Sequence, residues 1–235
     1  MFTETAPFYD AIYSFKDYRA ESQQVAALIR RSRPEARRVL DVACGTGEHA
    51  RWLVDDWGFL VEGIDLDTGL LALARQKVPT GRFERADMEA FTLDHQFDAV
   101  VCLFSAIAYL VTIERVANAI ECFRRHVEPG GLLLVEPWFA PGVIDPARVS
   151  RLRAELPQGH VERVSQIEVA GRVSRIHFRY KITTDAGSWE TSEIHELGLF
   201  TVDEMQMAFK RAGLTAAFEP SGLAGRGLWV ATNAA

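Results

Sequence analysis

The fold is decided by the stretch Val39-Leu40-Asp41-Val42-Ala43-Cys44-Gly45-Thr46-Gly47-Glu48-His49-Ala50. Apolar and β-branched residues at its start predict a buried strand, the two glycines predict a tight turn, and the following residues predict a helix. Residues 45–50 also satisfy the G-x-G-x-x-A pattern of dinucleotide-binding loops, although that match is weak by itself. A strand that runs into such a turn is typical of parallel sheets that bind ligands at their strand ends.

Outward from this stretch, residues 37–136 alternate short β-branched runs with amphipathic helical segments. This alternation predicts a parallel sheet, and right-handed crossovers make it doubly wound. The strands are predicted over residues 38–43, 60–65, 82–86, 97–103 and 131–136, and the helices over residues 18–31, 48–57, 68–77 and 113–127.

The pattern changes beyond residue 136. Four prolines between residues 137 and 157 predict a loop-rich connection. Strand-like alternation over residues 161–183 and 188–200 then predicts an antiparallel β insertion, with a hairpin turn at Asp185-Ala186-Gly187. A helix over 202–212 and strands over 215–219 and 227–232 complete the prediction. We therefore expect an α/β fold with a Rossmann-like, seven-stranded, mostly parallel sheet and helices on both faces.

Composition excludes several kinds of protein. The 26 Lys and Arg residues against 32 Asp and Glu residues give a net charge of −6, which disfavours nucleic acid as a partner. The apolar runs are too short to cross a bilayer, so no membrane partner is expected. The first residues carry an acidic group where a signal peptide carries positive charge, which predicts a cytoplasmic protein. Three widely spaced cysteines indicate neither a disulfide framework nor a metal site.

Carboxylates near the glycine turn indicate which ligand the loop binds. Asp65 ends the second predicted strand, where it can accept hydrogen bonds from a ribose diol. Asp41 stands four residues before Gly45, where a carboxylate would repel a diphosphate and attract the ammonium or sulfonium group of S-adenosylmethionine. Asp87 can accept a hydrogen bond from an adenine amino group while Met88 covers the ring.

These residues carry a resemblance to class I S-adenosylmethionine-dependent methyltransferases, in the glycine motif, Asp65, Asp87-Met88 and Val-Glu-Pro-Gly-Gly at 127–131. A closer resemblance over nearly the whole chain is to the bacterial TDP-3-amino-sugar N,N-dimethyltransferases of macrolide pathways with desosamine-type and mycaminose-type sugars. It rests on residues 8–13, 16–18, 103–107 and 135–138, on His195 with 199–201, and on 225–228. The chain departs from those enzymes in a shorter segment at Ser14-Phe15-Lys16 and in Tyr109, where some of them have a histidine.

The resemblance implies that Tyr9 and Tyr18 close over the methionine part of the donor and that Phe104 lies beneath it. The expected donor-binding set is Tyr9, Tyr18, Asp41, Ala43, Gly45, Gly47, Asp65, Leu66, Asp87, Met88 and Phe104. The expected acceptor-binding set is Tyr13, Trp138, Phe139 and Arg226. Trp138 and Phe139 are predicted to form an apolar wall or to anchor the insertion, and Arg226 to hold a phosphate or a salt bridge.

Methyl transfer from a sulfonium depends mainly on alignment, which is worth on the order of 7 to 11 kcal/mol. An acceptor amine that arrives protonated must also lose a proton, so a general base or a route to water is required. The candidates are Glu136 at the end of the fifth strand, Tyr109 after the fourth strand, and His195 in the insertion. No metal is expected.

The sequence thus predicts an S-adenosylmethionine-dependent methyltransferase, a monomer or homodimer, that N-methylates a small bacterial secondary metabolite such as an amino sugar. Alternatives are an N-, C- or O-methyltransferase of an aromatic or indole-type metabolite, a catalytically silent donor-binding protein, and a nicotinamide oxidoreductase. We expect one domain over 1–235, with an N-terminal lid and helix (1–34), a donor-binding core (35–140 and 200–235) and an insertion over the acceptor site (141–199).

Overall fold

The strands form two sheets. The computed structural model describes residues 5–234, so the first four residues of the predicted lid lie outside it. The strands are β1 (Arg38–Val42), β2 (Leu60–Asp65), β3 (Arg82–Arg85), β4 (Phe97–Cys102), β5 (Val127–Val135), β6 (Val149–Leu156), β7 (Gly159–Ala170), β8 (Val173–Thr184), β9 (Gly187–Gly198), β10 (Thr215–Glu219) and β11 (Leu228–Thr232). The α-helices are α1 (Tyr9–Ile12), α2 (Tyr18–Ser32), α3 (Glu48–Asp55), α4 (Thr68–Lys77), α5 (Ile113–His126) and α6 (Val202–Arg211).

The larger sheet has seven strands in the order β10-β11-β5-β4-β1-β2-β3. The strands from β1 to β5 pair in parallel, whereas β11 is antiparallel to both of its neighbours. The predicted Rossmann-like, mostly parallel seven-stranded sheet is confirmed. Strand order reverses between β1 and β4, and doubly wound sheets bind ligands beyond the carboxyl ends of the strands at such a point.

Local sequence signals define the helix ends. The Asp67 carboxylate accepts hydrogen bonds from the amides of Gly69 and Leu70 and caps α4. Thr201 and Glu204 form a reciprocal capping box at the start of α6. Such caps satisfy amides that have no partner inside the helix, at a gain of about 1 kcal/mol each.

Apolar residues bury both faces of the seven-stranded sheet. One core packs α5 and α6 on the sheet and includes Phe123, Phe209 and Trp229. The other core packs α2, α3 and α4 on the opposite face and includes Ile29 and Leu53. These two layers explain the apolar stripes of the helices, because each stripe lies against strands that are apolar on both faces.

The four-stranded sheet, in the order β6-β7-β8-β9, is antiparallel throughout. Its inward face packs against the N-terminal segment, where Ile12 and Tyr13 contact a cluster that includes Phe178 and Tyr180. This contact places the smaller sheet over the ends of the parallel strands.

Two details of this smaller sheet correct the sequence prediction. Residues 161–183 were expected as one alternating stretch, but they divide into β7 and β8 at a turn after Ala170. β6 lies where a loop was predicted. It is an edge strand with largely exposed, charged side chains, so its sequence lacks the apolar alternation of a half-buried strand.

Among residues 5–234, no helix has the length and apolar character needed to span a bilayer.

We expect Phe209→Ala to lower the free energy of unfolding by about 3 to 5 kcal/mol, because it leaves a cavity in the core. Phe209 is fully buried on α6, and its ring centroid lies 5.2 Å from that of Trp229 on β11. Met207→Ala on the same helix is the matched control, since Met207 is 61% exposed and its truncation should change stability by less than about 0.5 kcal/mol. Urea titrations of both variants measure the difference, and similar losses would contradict this packing.

Candidate active site

A cavity of about 510 Å³ lies beyond the carboxyl ends of the parallel strands. Residues that directly follow strands β1 to β5, together with residues that end β2, form its floor. These are Ala43, Gly45, Ile64, Asp65, Leu66, Asp67, Leu70, Ala86, Met88, Leu103, Phe104, Ser105, Ala106 and Trp138. The rest of the wall comes from Tyr9, Tyr13, Phe15, Tyr109, Arg163, Ile176, Phe178, Leu197 and Arg226. The site therefore uses both sheets and the N-terminal segment.

The glycine loop is attached to the end of β2. The Gly45 amide donates a hydrogen bond of 2.9 Å to Asp65 Oδ2, and the Asp67 amide donates one of 2.9 Å to Asp65 Oδ1. Gly45 has a φ of +55°, and a Cβ built there would meet no atom within 4 Å. The loop thus leaves open space beside its backbone at the position where a ligand can approach.

Gly47 serves packing and does not line the cavity. Its φ is +74°, and a Cβ there would lie 3.1 Å from Ala74 Cβ, so the glycine allows α3 to approach α4 closely. The predicted donor contact of Gly47 stays a prediction. The Thr46 hydroxyl donates 2.6 Å to Asp10 Oδ1, and Lys77 Nζ lies 2.7 Å from Asp10 Oδ2. These bonds hold the N-terminal segment on the loop.

Asp65, Leu66 and Met88 line one side of the cavity. Each Asp65 oxygen accepts one backbone amide and keeps a lone pair for a ribose hydroxyl, while Leu66 and Met88 present apolar surface beside it. Burial raises the pKa of Asp65, and its backbone hydrogen bonds act in the opposite direction. Asp87 is exposed and outside the cavity wall, and its Oδ1 accepts from the Glu89 amide at 3.0 Å. The predicted adenine contact of Asp87 stays a prediction.

Asp41 differs most from its expected electrostatic role. The side chain is 2% exposed beneath the loop, lies outside the cavity wall, and its Oδ2 has no hydrogen-bond partner. Burial, followed by the nearby Asp65 charge, raises the pKa of Asp41 to about 8. The carboxyl is therefore mostly neutral at pH 7, and its predicted contact with the donor stays a prediction.

Glu136 organises the turn after β4. It is fully buried, its Oε2 accepts 2.6 Å from the Phe104 amide, and its Oε1 accepts 2.6 Å from Arg226 Nη2. Phe104 and Ser105 have φ values of +52° and +61°, which are strained for residues other than glycine by on the order of 1 to 3 kcal/mol each. Glu136 does not line the cavity and holds Phe104 and Arg226 in position, and its role as a base stays a prediction.

Aromatic side chains cover the floor of the cavity. The Tyr13 ring meets Phe104 edge-on with centroids 5.3 Å apart, and Tyr9 lies 4.6 Å from Tyr13. Tyr18 lies behind this layer, with its ring 4.9 Å from His49, and does not reach the cavity wall. Its ring centroid is 6.5 Å from that of Phe104, and its predicted contact with the donor stays a prediction.

Buried cationic nitrogens without partners are concentrated at this cavity. Within residues 5–234, the buried side-chain nitrogens that lack a hydrogen-bond partner are Arg163 Nε and Nη1 and Arg226 Nε. The Arg163 guanidinium lies between aromatic rings, 5.1 Å from the Tyr13 centroid and 4.9 Å from that of Phe178. Because buried polar groups are nearly always paired, these nitrogens indicate a site for an anionic ligand.

Tyr109 lines the cavity, and its hydroxyl lies 2.6 Å from His195 Nδ1. His195 is 2% exposed and does not form part of the wall. Tyr109 thus lies between His195 and the cavity, and a catalytic role of His195 stays a prediction. Phe139 stacks edge-on against Trp138 at 4.7 Å outside the wall, so it supports Trp138 and does not form the predicted apolar surface itself.

The structure brings eleven predicted residues into one wall: Tyr9, Ala43, Gly45, Asp65, Leu66, Met88, Phe104, Tyr109, Tyr13, Trp138 and Arg226. Sequence reasoning missed Arg163, Phe178 and the remaining residues from the smaller sheet. Arg163 follows the buried Val161 by two positions on β7, and alternate residues of a strand share one face. The sequence signal for Arg163 was therefore an arginine at a position predicted to face inward. No group of His, Cys, Asp or Glu side chains suited to a metal ion occurs among residues 5–234.

Comparisons with known proteins agree with this geometry. The methyltransferase domain family matches residues 39–131. The dTDP-3-amino-3,6-dideoxy-alpha-D-glucopyranose N,N-dimethyltransferase of Streptomyces fradiae is 40% identical over 229 residues, which are 96% of this chain and 89% of that enzyme. The corresponding 3,4,6-trideoxy-sugar enzyme of Streptomyces venezuelae is 36% identical, over 97% of this chain and 98% of that enzyme.

A solved structure extends the similarity to the whole fold. The structure of S-adenosylmethionine-bound CalS10, an amino pentose methyltransferase from Micromonospora echinaspora involved in calicheamicin biosynthesis, is 38% identical with a TM-score of 0.86 and covers 96% of each chain. The fold and the donor loop define the class of the protein as S-adenosylmethionine-dependent methyltransferases. Within that class, the chain belongs to the family that includes these sugar N,N-dimethyltransferases.

The buried Asp41 predicts an unusual dependence of stability on pH. The folded protein keeps the Asp41 proton to about pH 8, whereas the unfolded chain loses it near the ordinary value of 3.8. Between these values the folded state binds more protons, so this carboxyl lowers the unfolding free energy as pH rises, by up to about 1.4 kcal/mol per pH unit. We expect Asp41→Asn to remove this slope, measured by urea unfolding between about pH 5 and pH 8.

Asp185→Asn is the control for that measurement, because Asp185 lies exposed in the β8–β9 turn. Its slope should match that of the wild type. If the unfolding free energies of Asp41→Asn and the wild type change equally with pH, Asp41 is ionised in the folded protein.

Proposed function

We propose that this methyltransferase transfers methyl groups from S-adenosylmethionine to the amino group of a nucleotide-linked amino sugar in a bacterial secondary-metabolite pathway. The observation that carries the proposal is the pair of buried guanidinium groups, Arg163 and Arg226, which line the same cavity as the donor loop. The names of the relatives in Streptomyces support the same class of acceptor.

Donor binding is assigned to the half of the cavity formed by the seven-stranded sheet. Asp65 holds the ribose hydroxyls, Leu66 and Met88 enclose the adenine, and the backbone at Gly45 approaches the methionine part. These assignments follow from the open space beside Gly45 and the free lone pairs of Asp65. Tyr9 and Phe104 then cover the end of the donor that faces the acceptor.

The acceptor half of the cavity is assigned to the N-terminal segment and the smaller sheet, which is the insertion proposed over residues 141–199. Guanidinium groups bind phosphate through paired, charge-assisted hydrogen bonds. Arg163 and Arg226 both line the cavity, and Glu136 holds Arg226 in place. Tyr13, Tyr109 and Trp138 line the remaining acceptor surface.

Bound S-adenosylmethionine supplies a methyl group that is carried on a sulfonium sulfur. When the methyl group is transferred, S-adenosylhomocysteine leaves as a neutral thioether and needs no proton. The chain therefore contributes mainly alignment and exclusion of water, which the aromatic cover of Tyr9, Tyr13 and Phe104 provides. A protonated acceptor amine must also be deprotonated before its lone pair can attack.

The cytoplasmic location and the monomeric or homodimeric state remain predictions from the sequence.

The first test is intact-mass detection of methylated product from a divided panel. One half contains TDP-linked 3-amino and 4-amino deoxysugars, and the other contains indoles, phenols and simple amines. We expect products heavier by one or two methyl groups in the sugar half. Turnover confined to the aromatic half would overturn the sugar assignment and support the aromatic alternative. Donor binding without turnover on either half would support the silent donor-binding protein.

We expect Arg163→Met to raise KM for the nucleotide-linked sugar by about 10-fold to 100-fold, because charge-assisted hydrogen bonds are worth about 1.5 to 3 kcal/mol. The Kd of S-adenosylhomocysteine should stay unchanged, measured by calorimetry. Arg179→Met is the matched control, since Arg179 is exposed on the outer face of the neighbouring β8. Equal KM values for both variants would exclude a phosphate contact by Arg163.

A further inference from the structure

A line of hydrogen bonds leads from the cavity into the smaller sheet. Tyr109, which lines the cavity, places its hydroxyl 2.6 Å from His195 Nδ1. On the other side of the imidazole, His195 Nε2 lies 3.2 Å from Glu193 Oε2. Glu193 and His195 are two residues apart on β9 and therefore share its inward face. The line begins at the acceptor wall and ends inside the protein.

The chemistry of the three groups fixes the direction of these bonds. A carboxylate only accepts hydrogen bonds, so the proton of a neutral His195 sits on Nε2, which faces Glu193. Nδ1 is then an acceptor, and the Tyr109 hydroxyl donates to it. Because that donation uses the only hydroxyl proton, the Tyr109 oxygen retains its lone pairs as acceptors for a group in the cavity.

Glu193 is itself held in position. Its Oε1 accepts 2.5 Å from the Thr5 hydroxyl, and its Oε2 accepts 3.3 Å from the Tyr180 hydroxyl. The Phe178 ring packs edge-on against the imidazole with centroids 5.1 Å apart. His195 is therefore confined to one ring orientation, as required of a histidine that transfers protons.

We propose that Tyr109, His195 and Glu193 form a proton relay that deprotonates the acceptor ammonium. The inference rests on the proposed function, because it needs an amine acceptor in the cavity. The ammonium N–H proton passes to the Tyr109 oxygen while the Tyr109 O–H proton passes to His195 Nδ1. The nitrogen lone pair then forms the bond to the methyl carbon, and the electrons of the broken carbon–sulfur bond remain on sulfur.

The charge balance of the relay follows from its surroundings. The proton taken from the amine makes His195 an imidazolium, which the Glu193 carboxylate stabilises at Nε2. Once product leaves, the proton returns through Tyr109 to water in the reopened cavity. Each methyl transfer to a newly protonated amine uses the relay once, so a second transfer requires it to be reset.

Tyr109 works only together with His195. Burial raises the pKa of Tyr109 well above its ordinary value, and the nearby Tyr13, Tyr180, Glu193 and Asp65 raise it further. A free tyrosinate is therefore not formed near neutral pH, and Tyr109 can take a proton only as it gives one up. This identifies Tyr109 as the group that touches the acceptor and His195 and Glu193 as positioning and proton-holding residues behind it.

The charged and titratable groups around the imidazole come from several elements. Glu193 on β9 favours the imidazolium, and Arg163 on β7, whose guanidinium lies 4.9 Å from the Phe178 centroid, opposes it. Tyr180 on β8 and Tyr13 in the N-terminal segment complete the surroundings, and both stay neutral because burial raises the pKa of each.

The kinetic test measures kcat against pH for the wild type and Tyr109→Phe with the acceptor that the panel identifies. General-base assistance is typically worth about 100-fold to 10,000-fold, so we expect kcat near pH 7 to fall at least about 100-fold in Tyr109→Phe. The rise of kcat with pH should also move upward, toward the ionisation of the amine itself. The Kd of S-adenosylhomocysteine should not change. A kcat within about threefold of the wild type, with an unmoved profile, would overturn the relay.

Glu193→Gln tests the charge behind His195 and keeps a hydrogen-bond acceptor for Nε2. Since the imidazolium loses its partner, we expect the acidic limb of the kcat profile to move to lower pH and the plateau to fall. A loss of plateau rate without a shift would assign Glu193 a purely structural role and overturn its part in the relay. His177→Gln is the control, because His177 lies on β8 facing away from the cavity, 3.5 Å from Glu168.

A second measurement needs no turnover and therefore separates the relay from the proposed function. Nitrogen-15 NMR of histidine-labelled protein reports which ring nitrogen carries the proton, with the His195 signals assigned from His195→Gln. Protonation at Nε2 in neutral His195 supports the relay, and protonation at Nδ1 overturns it. If the wild type methylates no amine in the panel, the proposed function fails, and this tautomer still decides whether Tyr109 donates to His195.

Discussion

The active site depends on one buried carboxylate, that of Glu136 at the end of β5. Its two oxygens hold the Phe104 amide and Arg226 Nη2, so a single side chain connects the central sheet, the strained turn after β4 and the C-terminal loop. A fully buried charge is costly unless it is paired, and here the guanidinium and the amide satisfy it. Without Glu136, Phe104 would lose the bond that holds its left-handed backbone, and Arg226 would lose its orientation toward the cavity.

The two sheets divide the work of the cavity. The seven-stranded sheet contributes the residues that follow its parallel strands, and these suit a nucleoside and a methionine chain. The smaller sheet covers them with Arg163, Phe178 and the Tyr109 partner His195. The N-terminal segment closes the remaining side and is attached to the glycine loop through Asp10. The cavity is therefore lined on one side by the strand ends of the core and on the other by elements that pack over them.

Burial changes the chemistry of several groups at this site. Asp41 beneath the glycine loop holds a proton to about pH 8, so the negative charge nearest the donor is that of Asp65. Two arginines retain buried nitrogens without partners, which makes the cavity wall cationic on the acceptor side. The cavity thus carries an acidic residue, Asp65, on one side and the basic residues Arg163 and Arg226 on the other.

Local signals with fixed spacing, namely the strand, the glycine turn, the helix and Asp65, were sufficient to predict the class of fold and the glycine loop. The sequence also indicated Arg226 and Tyr109. Tertiary structure alone decided which side chains reach the cavity. Glu136 and His195 are buried behind residues of the cavity wall, Arg226 and Tyr109, to which they are hydrogen-bonded. The raised pKa of Asp41 likewise results from burial, which depends on how distant strands pack. Arg163 lines the cavity because β7 packs over the core. Contacts between two sheets leave no local sequence pattern other than a charged residue at an inward-facing position.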